Sequence, residues 1–143
     1  MQFAAIPLLV SFIPMLMDTG GNCGSQSSTL IIRGIALGEI QFSDLFRVMF
    51  KEFRVSLIVG VALALANGIR ILIMYKNAGL ALVIGLSLVA TIVISKLIGC
   101  VLPLIAKKLH MDPAIMASPL ITTLVDTCSI LIYFNIATQV FQL

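Results

Sequence analysis

Charged residues are scarce in this sequence. They make up 10% of its 143 residues, whereas soluble domains carry roughly 25%. Nine basic and six acidic side chains are too few to cover a soluble surface. Hydrophobic residues make up 60% of the chain and the mean hydropathy is +1.16. The composition argues against a soluble protein and predicts a protein of the lipid bilayer.

Cysteine and histidine are equally sparse. The three cysteines, Cys23, Cys100 and Cys128, lie far apart in apolar segments and form no CxxC or Cys/His cluster, so we expect packing residues rather than a disulfide or metal site. The single histidine, His110, lies in a basic loop and is expected to be solvated. The net charge of +3 also lies in loops, so no nucleic-acid partner is expected.

Long apolar segments account for most of the chain. They cover residues 3–38, 55–75, 78–106 and 114–141. Because a spanning helix needs about 20 residues, the sequence predicts an all-α, polytopic transmembrane helix bundle with four spans in a single domain, 1–143. Lys96 lies within the third span, where we expect it to reach the interface or to face the bundle.

The basic residues indicate the orientation of the chain. Connection 40–54 alternates basic residues with phenylalanines at helical spacing, which predicts a short amphipathic helix in the membrane interface. Together with loop 107–112 it holds five basic residues, against two in the connection between the second and third spans. The positive-inside rule therefore predicts that both 40–54 and 107–112 are cytoplasmic, with Met1 and Leu143 outside.

An outer N-terminus needs a means of export. Phe3–Met17 lacks a basic region before it and a cleavage site after it, so it is not a signal peptide. We expect that at least one transmembrane helix precedes this chain in a longer protein.

Asp126 is the most informative polar residue within a span. It lies near the middle of the fourth segment with no basic residue within a helical turn, and a charge at the bilayer centre costs at least about 2.5 kcal/mol unless it faces protein or water. Thr122, Thr123 and Ser129 share its helical face. A carboxylate beside hydroxyls suits a hydrated cation. The alternative is a protonated Asp126 that only packs against another helix.

A second polar region interrupts the first span, where Met17–Ser28 reads MDTGGNCGSQSS. Three side chains recur every four residues and would form one polar edge of a helix: Asp18, Asn22 and Gln26. The three glycines between them weaken a regular helix. We expect a loosened backbone that lines a water-filled cavity or is buried in protein, where the glycines admit a neighbouring helix or a hydrated ion.

The chemistry of these side chains favours hard cations. Amide and hydroxyl oxygens with a few carboxylates, and no thiolate or histidine cluster, suit Mg²⁺ rather than Zn²⁺ or Cu⁺. Further acids lie close to the inferred cytoplasmic face, where they either collect cations or are simply solvated: Glu39, Glu52 and Asp112.

Two long motifs resemble a known family. Pro14–Ile40 reads PMLMDTGGNCGSQSSTLIIRGIALGEI and is similar to the second transmembrane segment of the MgtE magnesium channel family, with its GGNxGxQ(S/T) and RGxAxGE runs. Met111–Phe134 reads MDPAIMASPLITTLVDTCSILIYF and resembles the last segment of that family. KEFRVSLIVG resembles the linker into its third helix.

The resemblance implies a homodimeric channel, with five helices per subunit, that conducts Mg²⁺ through the bacterial inner membrane at the dimer interface. Mg²⁺ is then the transported ion rather than a cofactor, other divalent cations are further candidates, and the chain is not an enzyme. By resemblance, Asp126 holds hydrated Mg²⁺, the turn of Thr122 and Thr123 lines that site, and Asn22 lines the pore. Asp112 matches an acid associated with ion-dependent closure. Further pore-lining candidates are Asp18, Gln26, Ser129 and Glu39.

The chain also departs from the family pattern. It lacks the cytoplasmic regulatory domains, the connecting plug helix and the first transmembrane helix of the family, so gating by those parts is not expected of this chain by itself.

Three alternatives use the same residues differently. A cation-coupled carrier would transport Mg²⁺ by alternating access. An intramembrane aspartyl protease would pair Asp18 with Asp126, although the GxGD context is absent. A purely structural subunit would not need an unpaired acid in the middle of a span.

Overall fold

The chain folds into a helical bundle. The structure, a computed structural model, describes residues 2–116 and 118–142, with side chains for 7–116 and 119–142, and within these ranges it contains no β-strand. Five α-helices follow one another: α1 Gln2–Ser11, α2 Ile13–Ala36, α3 Leu45–Tyr75, α4 Ala78–Lys108 and α5 Ser118–Phe141. Short 3₁₀ turns at Phe42–Asp44 and Pro113–Met116 precede α3 and α5. The predicted all-α membrane bundle is confirmed.

Three helical regions of the described chain are long and apolar enough to cross a membrane. They are Phe42–Tyr75, Ala78–Lys108 and Pro113–Phe141, which correspond to the second, third and fourth predicted spans. α2 has 24 residues, about 36 Å of helix, but its central turns carry the polar stretch and it is not among the three. A first span through α2 therefore stays a prediction, as does the outer location of Met1 and Leu143, which lie outside the described residues.

The first predicted segment, 3–38, is divided into α1 and α2 at Phe12. Pro14 in the first turn of α2 has no N–H to continue the preceding helix. The Phe12 N–H bonds the carbonyl of Leu9 at 3.2 Å, and the Ser11 hydroxyl donates to the carbonyl of Leu8 at 2.6 Å. The chain therefore turns before it enters α2.

Residues 45–54 differ from the sequence prediction. They do not form a separate interfacial helix but are the first ten residues of α3, which is continuous to Tyr75. The reason is local, since this stretch contains no proline or glycine that would end a helix. The 31 residues of α3 give about 46 Å of helix, which exceeds the roughly 30 Å of bilayer hydrocarbon.

α4 is the central helix and packs against α2, α3 and α5. It follows α3 after only two residues: Lys76 adopts a left-handed conformation with φ 50°, and the Asn77 side chain accepts a hydrogen bond from the Leu80 N–H at 3.0 Å. The short connection makes α3 and α4 antiparallel neighbours.

Two apolar clusters hold the bundle together. One packs Leu16 of α2 against Ile84 of α4 and the fully buried Tyr133 of α5. The other joins α2, α3 and α4 around Val48 and includes Cys100. The two clusters thus lie on either side of the polar segment of α2.

Candidate functional site

A polar cleft lies between α2 and α5. Its lining residues are Met17, Asp18, Gly21 and Asn22 from α2, with Thr122 and Asp126 from α5. Asp126 is partly buried, whereas Asp18 and Asn22 are exposed. Two carboxylates, an amide and a hydroxyl, taken from helices about a hundred residues apart in the sequence, thus meet in one place.

The glycines allow these helices to approach closely. α2 is a regular helix through Gly20, Gly21 and Gly24, so the backbone is not loosened as the sequence suggested. All three are buried instead. A Cβ on Gly20 would lie 2.8 Å from Cγ1 of Val125, and a Cβ on Gly24 would lie 2.9 Å from Cγ2 of Ile121. Because tertiary contacts of this kind outweigh a weak helix propensity, the stretch stays helical and admits α5.

The polar edge of α2 continues beyond the cleft. A second, more open depression on the outer surface is lined by Asn22, Ser25, Gln26, Thr29 and Leu30, so Asn22 borders both. We call the outward-facing residues Asp18, Asn22, Gln26 and Thr29, which are all exposed in the single chain, the α2 polar stripe. Hydrocarbon cannot satisfy such groups, so the stripe needs water or another protein surface over it.

The threonines of α5 are anchored to their own helix. The hydroxyls of Thr122 and Thr123 both donate to the carbonyl of Pro119, at 3.1 and 2.9 Å. Thr122 lines the cleft, whereas Thr123 is exposed and is not among its lining residues.

Besides Thr123 and Gln26, three further predicted site residues lie away from the cleft. Ser129 is buried and its hydroxyl donates to the carbonyl of Val125 at 2.7 Å. Asp112 is exposed before the turn into α5, where its Oδ1 accepts from the Ala114 N–H at 2.9 Å. Glu39 is exposed beyond the end of α2.

No cluster of three or more histidine, cysteine, aspartate or glutamate side chains that could hold a metal ion occurs within the described part of the chain. The cleft is therefore poorer in ligands than a cage for a dehydrated divalent ion. Its acceptors suit contact with the water shell of a cation.

A buried ion pair was not predicted from the sequence. Lys96 Nζ of α4 lies 3.4 Å from Oε2 of Glu52 in α3, and the two side chains are only 7% and 8% exposed. The Ser27 hydroxyl of α2 donates to the same Oε2 at 2.5 Å, and Lys96 Nζ donates to Oγ of Ser27 at 3.3 Å. We call Ser27, Glu52 and Lys96 the polar triad.

Glu52 was expected near the surface as a solvated or cation-collecting acid, and the structure buries it instead. The signal in the sequence was Lys96, because a lysine inside an apolar helix needs an acidic partner. Lys96 faces the bundle, which was one of its two predicted positions.

Comparison with known proteins gives consistent matches. Residues 13–136 match the family model of MgtE, described as a divalent cation transporter. The chain is 42% identical over 130 residues to a protein of Bacillus subtilis, and 37% identical over 134 residues to one of Thermus thermophilus, each named magnesium transporter MgtE. A protein of the same name from Enterococcus faecalis is 35% identical over 132 residues. These alignments cover 91–93% of this chain and 29% of each relative.

Proposed function

The chain belongs to the MgtE family of divalent cation transporters, and from this premise we propose that its helices form a pore through which hydrated Mg²⁺ crosses the membrane, with Asp126 holding the ion. The relatives are named as magnesium transporters. Because the chain spans 29% of their length, transport of Mg²⁺ by this protein is part of the proposal.

The observation that supports the pore is the meeting of Asp126 with Asp18, Asn22 and Thr122 in one cleft. Mg²⁺ releases its water reluctantly and is commonly bound with several waters in place. Carboxylate, amide and hydroxyl oxygens can accept hydrogen bonds from those waters. Among the described residues, no basic side chain forms an ion pair with Asp126, so its charge is available to a cation.

The α2 polar stripe supports a homodimer. A second copy related by a two-fold axis would cover the stripe with the same stripe, which removes amides and hydroxyls from contact with lipid. The axis would then bring two copies of Asp126 near one path and concentrate divalent cations there.

The proposed setting is a bacterial inner membrane. Residues 40–54 and 107–112 would face the cytoplasm, because the basic residues gather there. Asp112 and Glu39 would then lie at the cytoplasmic end, away from the ion held by Asp126.

Isothermal titration of the purified chain in detergent tests the ion site. We expect saturable Mg²⁺ binding that Asp126→Asn abolishes, because the substitution removes the charge and keeps the size of the side chain. Asp44→Asn is the matched control, since Asp44 pairs with Arg47 at 3.5 Å outside the cleft and its loss should leave binding unchanged. Equal Mg²⁺ binding by Asp126→Asn and the unsubstituted chain would refute the proposed site.

Conduction needs a separate measurement in planar bilayers. Mg²⁺ should block monovalent current through the unsubstituted protein and should fail to block it in Asp126→Asn. Unchanged block in the variant would exclude Asp126 as the selectivity residue.

A further inference from the structure

Between the two apolar clusters, the contact of α2 with α4 is made of small residues. A Cβ on Gly99 of α4 would overlap the carbonyl oxygen of Gly24 in α2, and a Cβ on Gly20 would lie 2.7 Å from Cγ2 of Thr91. The two helix backbones therefore touch without large side chains between them. Surfaces made of small residues allow close approach, but they provide few knobs and holes to define how far one helix slides along the other.

The polar triad lies on this same interface and supplies what the glycines lack. Ser27 is one turn after Gly24, and Lys96 is one turn before Gly99. All three side chains of the triad are buried, and Oε2 of Glu52 accepts from both the Ser27 hydroxyl and Lys96 Nζ. The bonds tie α2, α3 and α4 to one point.

Displacing one helix would break these bonds at a high cost. Leaving a buried charge without its partner is strongly destabilising, and buried polar groups are best attested as devices that specify register. Apolar contacts along the same interface change more gradually with sliding.

We propose that the polar triad fixes the register of α2, and thereby positions Asn22 against Asp126 and Thr122 in the cleft. Ser27 and Asn22 lie on opposite sides of one rigid helix, the first buried and the second exposed. A slip of one residue would move Asn22 by about 1.5 Å along the axis and rotate it by about 100°. The three residues of the triad are thus positioning residues that act through α2 and do not touch the ion. Their effect on Mg²⁺ binding rests on the proposed function, whereas the register itself does not.

Disulfide trapping measures the register without any ion. In a chain whose native cysteines are replaced by alanine, cysteines at Asn22 and Thr122 should cross-link readily, since both line the cleft. Adding Ser27→Ala should lower the initial cross-linking rate roughly tenfold, on the scale of the lost hydrogen bonds to a charged group. A pair at Gln26 and Thr122, one turn along α2, should become easier to cross-link.

Ser56→Ala is the matched control. Ser56 is also a buried serine next to this region, but its hydroxyl donates to the carbonyl of Phe53 in its own helix at 2.6 Å. Its replacement should leave both cross-linking rates unchanged. Equal rates for Ser27→Ala, Ser56→Ala and the parent chain would overturn the proposal.

Charge substitutions separate positioning from folding. Glu52→Gln alone leaves Lys96 buried without a counter-charge, and we expect little monodisperse protein. The exchange Glu52→Lys with Lys96→Glu restores an ion pair and should recover both folding and the Asn22–Thr122 cross-link. Glu52→Gln with Lys96→Met removes both charges and should fold, with the cross-link slowed. A folded double-neutral variant that cross-links at the parent rate would also overturn the proposal.

Mg²⁺ titration of the same folded variants links register to the ion. Ser27→Ala should weaken the apparent affinity several-fold while Ser56→Ala does not. Retained register control together with no Mg²⁺ binding in the parent chain would count against the proposed function and leave the triad proposal supported.

Discussion

At the scale of single residues, the carboxylates of Asp126 and Glu52 differ because their surroundings differ. Glu52 is buried and paired with Lys96, whereas Asp126 borders an open cleft with an amide and a hydroxyl. The first charge is neutralised within the chain, whereas the second has no ion pair among the described residues. From the sequence, Asp126 could be singled out because no basic residue lies near it along its helix.

The pairing of Glu52 with Lys96 could not be read from sequence in the same way. The two residues are 44 positions apart. Their contact depends on how α3 and α4 are aligned along their axes. From the sequence, Glu52 lay close to the inferred cytoplasmic face, so a solvated or cation-collecting acid was expected there and its burial was not predicted.

Tyr133 provides a test of packing at one residue. Its side chain is fully buried, and its hydroxyl donates to the carbonyl of Leu9 at 2.7 Å. Because Tyr133→Phe leaves that carbonyl without this donor, we expect the free energy of unfolding to fall by about 1–2 kcal/mol. Thermal unfolding in detergent measures the loss. Tyr75→Phe, on an exposed tyrosine, should have a much smaller effect, and equal shifts would contradict this account.

At the scale of whole helices, the polar stretch of α2 shows how packing can outweigh helix propensity. Its glycines predicted a weak helix by propensity, and packing against α4 and α5 overrode that preference. Their second predicted role, admitting a neighbouring helix, is the one that the structure contains. The sequence could indicate that glycine was needed here, but only the neighbouring helices show what it makes room for.

Helix boundaries were predictable where a breaker was present. Gly38, with φ 73°, lies just beyond α2, and Asn77 caps α4, in agreement with the predicted segments. Residues 45–54 carry no such breaker, so the change from amphipathic to apolar composition did not mark a boundary and α3 runs through it.

Gly99→Ala tests the close approach of α2 and α4. The added methyl group would overlap the carbonyl oxygen of Gly24, which belongs to helix backbone and cannot rotate away. We expect the free energy of unfolding to fall by about 1–3 kcal/mol or more, as for other overpacked cores. The measurement is chemical or thermal unfolding in detergent.

Gly68→Ala is the control for this substitution. A Cβ at Gly68 would meet no atom within 4 Å, so the same chemical change there should be neutral or slightly stabilising, because alanine favours a helix over glycine. Equal destabilisation by the two variants would show that the glycines matter through the helix itself rather than through the neighbouring backbone.

At the scale of the whole molecule, the bundle presents two kinds of surface. α3 exposes large apolar side chains such as Ile58, Leu65 and Ile73, as expected where a helix meets lipid. α2 exposes its polar stripe instead. In the proposed dimer, a second copy would cover this stripe, because hydrocarbon cannot satisfy amides and hydroxyls.

Cysteine cross-linking tests that second copy. In a chain without native cysteines, Gln26→Cys should form a disulfide between two subunits in membranes, because the proposed two-fold axis near the stripe would bring the two copies together. The control is Leu65→Cys, because Leu65 on α3 is 62% exposed and lies away from the stripe. This variant should remain monomeric on a denaturing gel under the same oxidant. Equal dimer formation at both positions would contradict a specific interface at α2.

The ion pair between Glu52 and Lys96 also has a consequence for biogenesis. Lys96 lies well inside the apolar α4, and an unpaired lysine at the centre of a span would cost about 2.5–3.5 kcal/mol during insertion by the translocon. The two charges lie on consecutive helices joined by two residues, so the α3–α4 hairpin is the smallest part of the chain that can enter the bilayer with both neutralised. We therefore expect these two helices to be inserted as a pair, with α2 docking afterwards through Ser27.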